Sequence, residues 1–222
     1  MFQIGRDWNP KQAKLKTLLS DSAAFPEAIA VCLELHALVH AGSSEAPTFF
    51  DEVVSGLTRE AFAAMPTPED NTIAWDIWHI TRIEDLVAGI LIANGPQTLD
   101  AKWLSRMGVS VRDTGNAMTD EEILALSGTI DMSALFLYRA AVGRRTREIL
   151  HGLAPTELKR KPLKESLARI LREGGVTEHP DSVWLLDFWG KKNVAGLLTM
   201  PITRHQAVHL NDCVNLKRKL PK

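Results

Sequence analysis

The sequence predicts an all-α protein, a four-helix bundle with crossover connections and extra short helices. Three observations carry that prediction. Apolar residues recur at helical spacing in four long segments, and the sustained alternation a strand requires is absent. Capping residues, prolines and glycines also fall where those segments begin and end.

The first long helix is expected over about residues 25–41. Pro26 occupies a first-turn position that tolerates proline, and Gly42 follows the end. Its apolar stripe is Ile29, Val31, Leu33, Leu35 and Leu38. A short amphipathic helix follows over about 48–57. The second long helix spans about 71–94, opened by Asn71-Thr72 and closed by Asn94-Gly95-Pro96. Residues 95–118 are rich in turn-formers and read as a loop.

Thr119-Asp120-Glu121-Glu122 has capping-box spacing and starts a short helix through Ser127. The third long helix covers about 131–152, with Leu135, Tyr138, Val142, Ile149 and Leu150 inward and Arg144, Arg145 and Arg147 facing water. An amphipathic helix over 163–173 and a loop over 174–181 come next. Residues 181–198, with Trp184, Leu185, Phe188 and Trp189, read as one helix covering the bundle. The last long helix spans about 201–220, with Pro201 preset for its first turn and Lys217-Arg218-Lys219 complementing its C-terminal dipole. The whole reads as one domain over 1–222, with an N-terminal arm (about 1–22) and an insertion before the last helix (about 155–198).

An apolar content of 45% and a charged content of 24% are those of an ordinary soluble globular protein. The net charge of −1 argues against a nucleic-acid partner and against an anionic membrane surface. The longest apolar run, residues 86–93, is too short to span a bilayer. Met1 to Trp8 lacks the basic start and apolar run of a secretion signal. Two cysteines, Cys32 and Cys213, suit a reducing compartment rather than a disulfide framework, so a cytoplasmic location is expected.

The chemistry lies in the histidines. His205 and His209 are four residues apart in a helical segment, on one face and about one turn from each other. Two imidazoles so placed can share a metal ion, and neutral imidazole suits zinc, copper, iron and nickel. Near a helix start the dipole disfavours imidazolium, which keeps both in the ligating form. A third ligand must come from elsewhere, and His79 is the best candidate, set inward beside Trp75 and Ile83. Asp76 and Asp212 each lie three residues from a ligand and are candidate outer-shell acceptors, although a solvated acid is the simpler reading of each. A second pair, His36 and His40, ends the first long helix, where the dipole alone accounts for polar tips. Cys213 reads as a small buried cysteine rather than a fourth ligand. Arg82 and Arg204 flank the ligands and are candidates for holding an anionic substrate group.

Trp78-His79-Ile80-Thr81-Arg82-Ile83-Glu84-Asp85 in a tryptophan-rich second helix, with His205-x-x-x-His209 in the last, resembles the DinB/YfiT-like superfamily of metal-binding four-helix bundles. In that family one histidine of the second helix and two of the last form a three-histidine site. The resemblance implies His79, His205 and His209 here. Many members carry a further histidine three places after the first, where this chain has Arg82. The length after Asn94 and over 159–198 exceeds that of a minimal member and is a candidate to line a different pocket.

Members include metal-dependent thiol S-transferases, a thiol-dependent isomerase and the bundle part of a sulfoxide-forming iron enzyme. The resemblance therefore implies a divalent ion, zinc or nickel first and iron or manganese next. It also implies an enzyme of S-transferase type acting on a small molecule, a low-molecular-weight thiol among its partners. A metal-dependent hydrolase is the alternative. So is a non-catalytic interaction or stress-response bundle, a homodimer or one using Trp184, Phe188 and Trp189 as a partner surface.

Overall fold

The computed structural model describes residues 2–42 and 47–220, so Met1 of the expected arm and the last two residues of the chain lie outside it. A π-helical turn, Ile4–Trp8, runs into α1 (Asn9–Leu18). Trp8 and Leu15 are buried, and α1 packs on the helix that follows. The expected N-terminal arm is thus a docked helix, held because Trp8 and Leu15 find the core. Next come α2 (Phe25–Leu38), α3 (Phe49–Val54), opened by a capping box between Thr48 and Asp51, and α4 (Arg59–Ala63), capped by Thr58.

The centre of the molecule is α5 (Ile73–Asp85), which continues as a π-helical stretch, Leu86–Ile92. The Thr72 hydroxyl caps it by accepting from the Trp75 N–H. Every residue of α5 and of the π-helical stretch is buried. A helix enclosed on all sides is normally apolar all round. This one also carries Asp76, His79, Thr81, Arg82, Glu84 and Asp85, each of which must find a partner inside the protein.

The stretch 95–118 is not all loop. It contains α6 (Ala101–Met107), capped by Asp100 and ended by Gly108 at φ 71°. Seven residues are too few for periodicity to register in sequence; Leu104 and Met107 bury this helix against the third long helix. Then follow α7 (Asp120–Thr129), with the expected capping box, and α8 (Met132–Gly152).

In the insertion, α9 (Lys164–Arg172) forms as expected. The single helix read over 181–198 is two, α10 (Pro180–Gly190) and α11 (Val194–Thr199), because Asn193 caps a new start. Trp189 is buried while Trp184 is 47% exposed, so the aromatic surface read from sequence loses one member to the core. A π turn, Met200–Arg204, leads into α12 (His205–Lys219).

The bundle consists of α2, α5, α8 and α12. α5 lies against α8 and α12, α8 lies against α2, and the π turn before α12 closes on α2. Among the described residues no single helix is long and apolar enough to cross a membrane.

Candidate metal centre

His79 on α5 meets His205, the first residue of α12, and His209, one turn further along it, with one ligating atom from each within 4.8 Å of the others. The Nε2 atoms of His79 and His205 are 3.3 Å apart. That is the edge of a tetrahedron whose metal–nitrogen bonds are about 2.0 Å. The ring centroids of the three pairs are 5.1, 4.8 and 4.6 Å apart. Two helices far apart in sequence are therefore locked with three imidazoles converging on one point.

The tautomers are set from behind. His79 Nδ1 donates to the Thr114 carbonyl at 2.7 Å, which leaves Nε2 as a bare lone pair. His209 Nδ1 bonds Asp76 Oδ1 at 2.7 Å, the carboxylate–histidine arrangement that orients metal ligands. The thiol of Cys213 donates to the other oxygen of Asp76 at 3.7 Å. His205 Nδ1 is buried without a partner among the described residues.

Thr114 belongs to a strip of backbone that α5 grips residue by residue. Arg82 Nε donates to the Arg112 carbonyl at 2.8 Å, Trp78 Nε1 to that of Asp113 at 3.0 Å, and Trp75 Nε1 to that of Gly115 at 3.2 Å. With His79 on Thr114, four consecutive carbonyls are held by four side chains of one helix face. The tryptophans of the motif are donors to this strip. Gly115 turns it at φ 77°, and a β-carbon there would sit 2.7 Å from Trp75 Nε1. The Trp75 indole also stacks on His79 at 4.6 Å and 10°.

Burial, then the nearness of His209, pushes the His79 pKa down to about 3 against the pull of the Thr114 carbonyl. Burial and the two neighbouring imidazoles push His205 well below its usual value. Burial raises the Asp76 carboxyl, while its bond to His209 draws it back. His79 and His205 are thus neutral, the form a metal requires.

An unfolded chain binds a proton on each of these two histidines near pH 6.5, and the folded metal-free protein does not. Stability from this source is therefore complete above pH 6.5 and is lost as pH falls toward the folded values. The expected loss is on the order of 1 kcal/mol per histidine between pH 6.5 and 5.5. Urea denaturation of chelated protein at the two pH values measures it. A pH-independent midpoint over that span would show that the imidazoles are not buried in neutral form.

The remaining sequence candidates fall elsewhere. Arg82 is fully buried and spends its guanidinium on Arg112, Asp85, Tyr138 and Gln97, so it is a scaffold residue rather than a substrate contact. Arg204 is exposed beside His205. Cys213 is buried outside the three-donor group, as a core cysteine. Asp76 proves to be the acceptor behind His209, whereas Asp212 is exposed and both line a cleft of about 530 Å³. His36 and His40 are not polar tips of a helix end. They are buried on Glu84, a partner that helix-end reasoning could not supply. The Thr114 carbonyl went unseen because a backbone acceptor leaves no mark in sequence.

The family profile of the DinB superfamily matches residues 44–212. The chain belongs to the DinB superfamily. Its members bind metal, and all three histidines of the centre lie within the matched segment. The DinB match starts after α2, so His36 and His40 lie outside it. A comparison with curated proteins finds no match.

Proposed function

We propose that His79, His205 and His209 hold one divalent ion, zinc or nickel first and iron or manganese next, and that the protein is a metal-dependent enzyme of thiol S-transferase type. The donor set carries this reading. Three imidazoles converge, and among the described residues no further histidine, cysteine or carboxylate joins the group. Three protein ligands leave a coordination position open, the pattern of catalytic rather than structural sites. An ion bound there would supply Lewis acidity, lowering the pKa of a small-molecule thiol or of water.

The protein's own part is orientation and exclusion of water. Thr114 and Asp76 keep the Nδ1 protons of His79 and His209 turned away from the site. Trp75, only 8% exposed, covers the face of His79. His205 and His209 are the partly open ligands, His209 at 17% side-chain exposure, and they give a small molecule its approach. Membership of the DinB superfamily ranks a thiol ahead of water as the bound nucleophile.

The test pairs metal-loaded protein with low-molecular-weight thiols and electrophilic acceptors, beside a panel of esters and amides. Thiol-dependent turnover abolished by His79→Ala is expected. Turnover confined to the ester and amide panel would make it a hydrolase. Inactivity on both panels, with a fourth side chain closing the metal, would end the enzyme reading.

A further inference from the structure

Five residues further along α5 from His79, Glu84 joins two histidines in a second cluster that is sealed in the core. His36 in the last turn of α2 and His40, two residues beyond its end, aim Nε2 at the two oxygens of Glu84, at 2.7 Å to Oε1 and 2.9 Å to Oε2. The two rings stack at 4.3 Å. Side-chain exposure is 0% for His36, 2% for His40 and 0% for Glu84.

As hydrogen bonds alone, this arrangement is costly. Among the described residues Glu84 has no lysine or arginine within ion-pair distance; its partners are the two imidazoles. Each imidazole also keeps a buried Nδ1 with no partner among the described residues. Burial by itself would raise the Glu84 carboxyl, and the two histidines outweigh it and hold the group ionised. Burial holds His40 neutral, its pKa lowered to about 3. Apolar residues of the same volume usually replace such a buried cluster without loss of stability, so its presence calls for a role. The neighbouring helix is shaped around it: a β-carbon on Gly143 would lie 2.4 Å from His40 Nδ1.

We propose that His36, His40 and Glu84 form a second divalent-metal site, distinct from the three-histidine centre. Two imidazoles and a carboxylate are a donor set that zinc takes. One ligating atom of each already lies within 4.8 Å of the others. The Nε2–oxygen separations need to widen by only about 0.5 to 0.7 Å to become edges of a tetrahedron with bonds of about 2.1 Å. To ligate, each imidazole presents a bare Nε2 with its proton on Nδ1, and Glu84 supplies the one negative charge.

Arg139 opposes the ion. Its guanidinium, bonded to the Thr81 hydroxyl, the Val39 carbonyl and the Gln206 side chain, is close enough to interact electrostatically with Glu84. The second ion is therefore expected to bind more weakly than the first. Complete enclosure means that it enters during folding or through local opening.

The experiment refolds the full chain from denaturant with excess zinc, removes loose metal by gel filtration and measures the content by elemental analysis. Two equivalents are expected for the unaltered protein and one for Glu84→Gln, whose amide still bonds both rings. One equivalent is also expected for the His205→Ala/His209→Ala double variant, which lacks the first site. One equivalent in the unaltered protein that Glu84→Gln leaves unchanged would overturn the second site and leave the proposed function standing. If Glu84→Gln does not fold, the double variant decides: one equivalent supports the site and none overturns it.

Discussion

Arg82→Met is expected to lower the free energy of unfolding by about 3–5 kcal/mol, the range for removing one partner of a buried ion pair. Arg82 is the hub of a closed polar network. NH1 bonds Asp85 at 3.0 Å and the Tyr138 hydroxyl at 2.8 Å, and NH2 bonds Gln97 at 2.7 Å. Tyr138 in turn donates to Asp85 at 2.7 Å, and burial holds its phenol protonated for that task. Asp85 also accepts from the backbone of Thr98 and Leu99. Without the guanidinium, a buried carboxylate loses its cation and Gln97 and Arg112 lose a donor.

Lysine is not expected to rescue this position, because one ammonium cannot reproduce a planar fork aimed at four partners. Arg145→Met, at a site where the side chain is 46% exposed, should stay within about 0.5 kcal/mol of the parent. Urea denaturation measures all three variants. A loss below about 1 kcal/mol for Arg82→Met would show that the network is not integral to the fold. Because Arg82 also holds the carbonyl strip two residues from Thr114, its loss should weaken metal binding as well.

Asp76→Asn is expected to weaken the tightest-bound divalent ion by about 10- to 100-fold while leaving the helical content unchanged. The amide can still accept the His209 Nδ1 proton but no longer carries the charge that makes the imidazole a stronger donor. Competition titration with a chromophoric chelator reads the affinity directly. Glu84→Gln, which leaves the three histidines intact, should not move that tightest constant. Equal weakening by both substitutions would mean that the centre rests on α5 as a whole rather than on the bond from Asp76 to His209.

Local order in this chain was open to reading because its causes are local. Thr119 and Glu122 close their capping box, and α8 begins and ends where its apolar pattern does. The i,i+4 spacing of His205 and His209 put both on one face of α12, and helical spacing turned His79 inward. Short elements escaped for the converse reason: α6 and the break between α10 and α11 depend on burial and caps too brief to stand out from a loop or a longer helix.

What joins the site acts across the chain. His79 and His205 are separated by 126 residues and Asp76 and His209 by 133, distances over which periodicity says nothing. Four backbone carbonyls orient the motif of α5, and every residue has such a carbonyl, so no residue type announces them. The same holds for His36 and His40. At a helix end in sequence they needed only the dipole; enclosed against Glu84, 48 and 44 residues away, they became part of a charged cluster in the core. Sequence determined which faces carry the ligating groups. Only the tertiary structure decided which faces meet, because that depends on α5 being enclosed by its neighbours, so that every polar group on it must find its partner in another part of the chain.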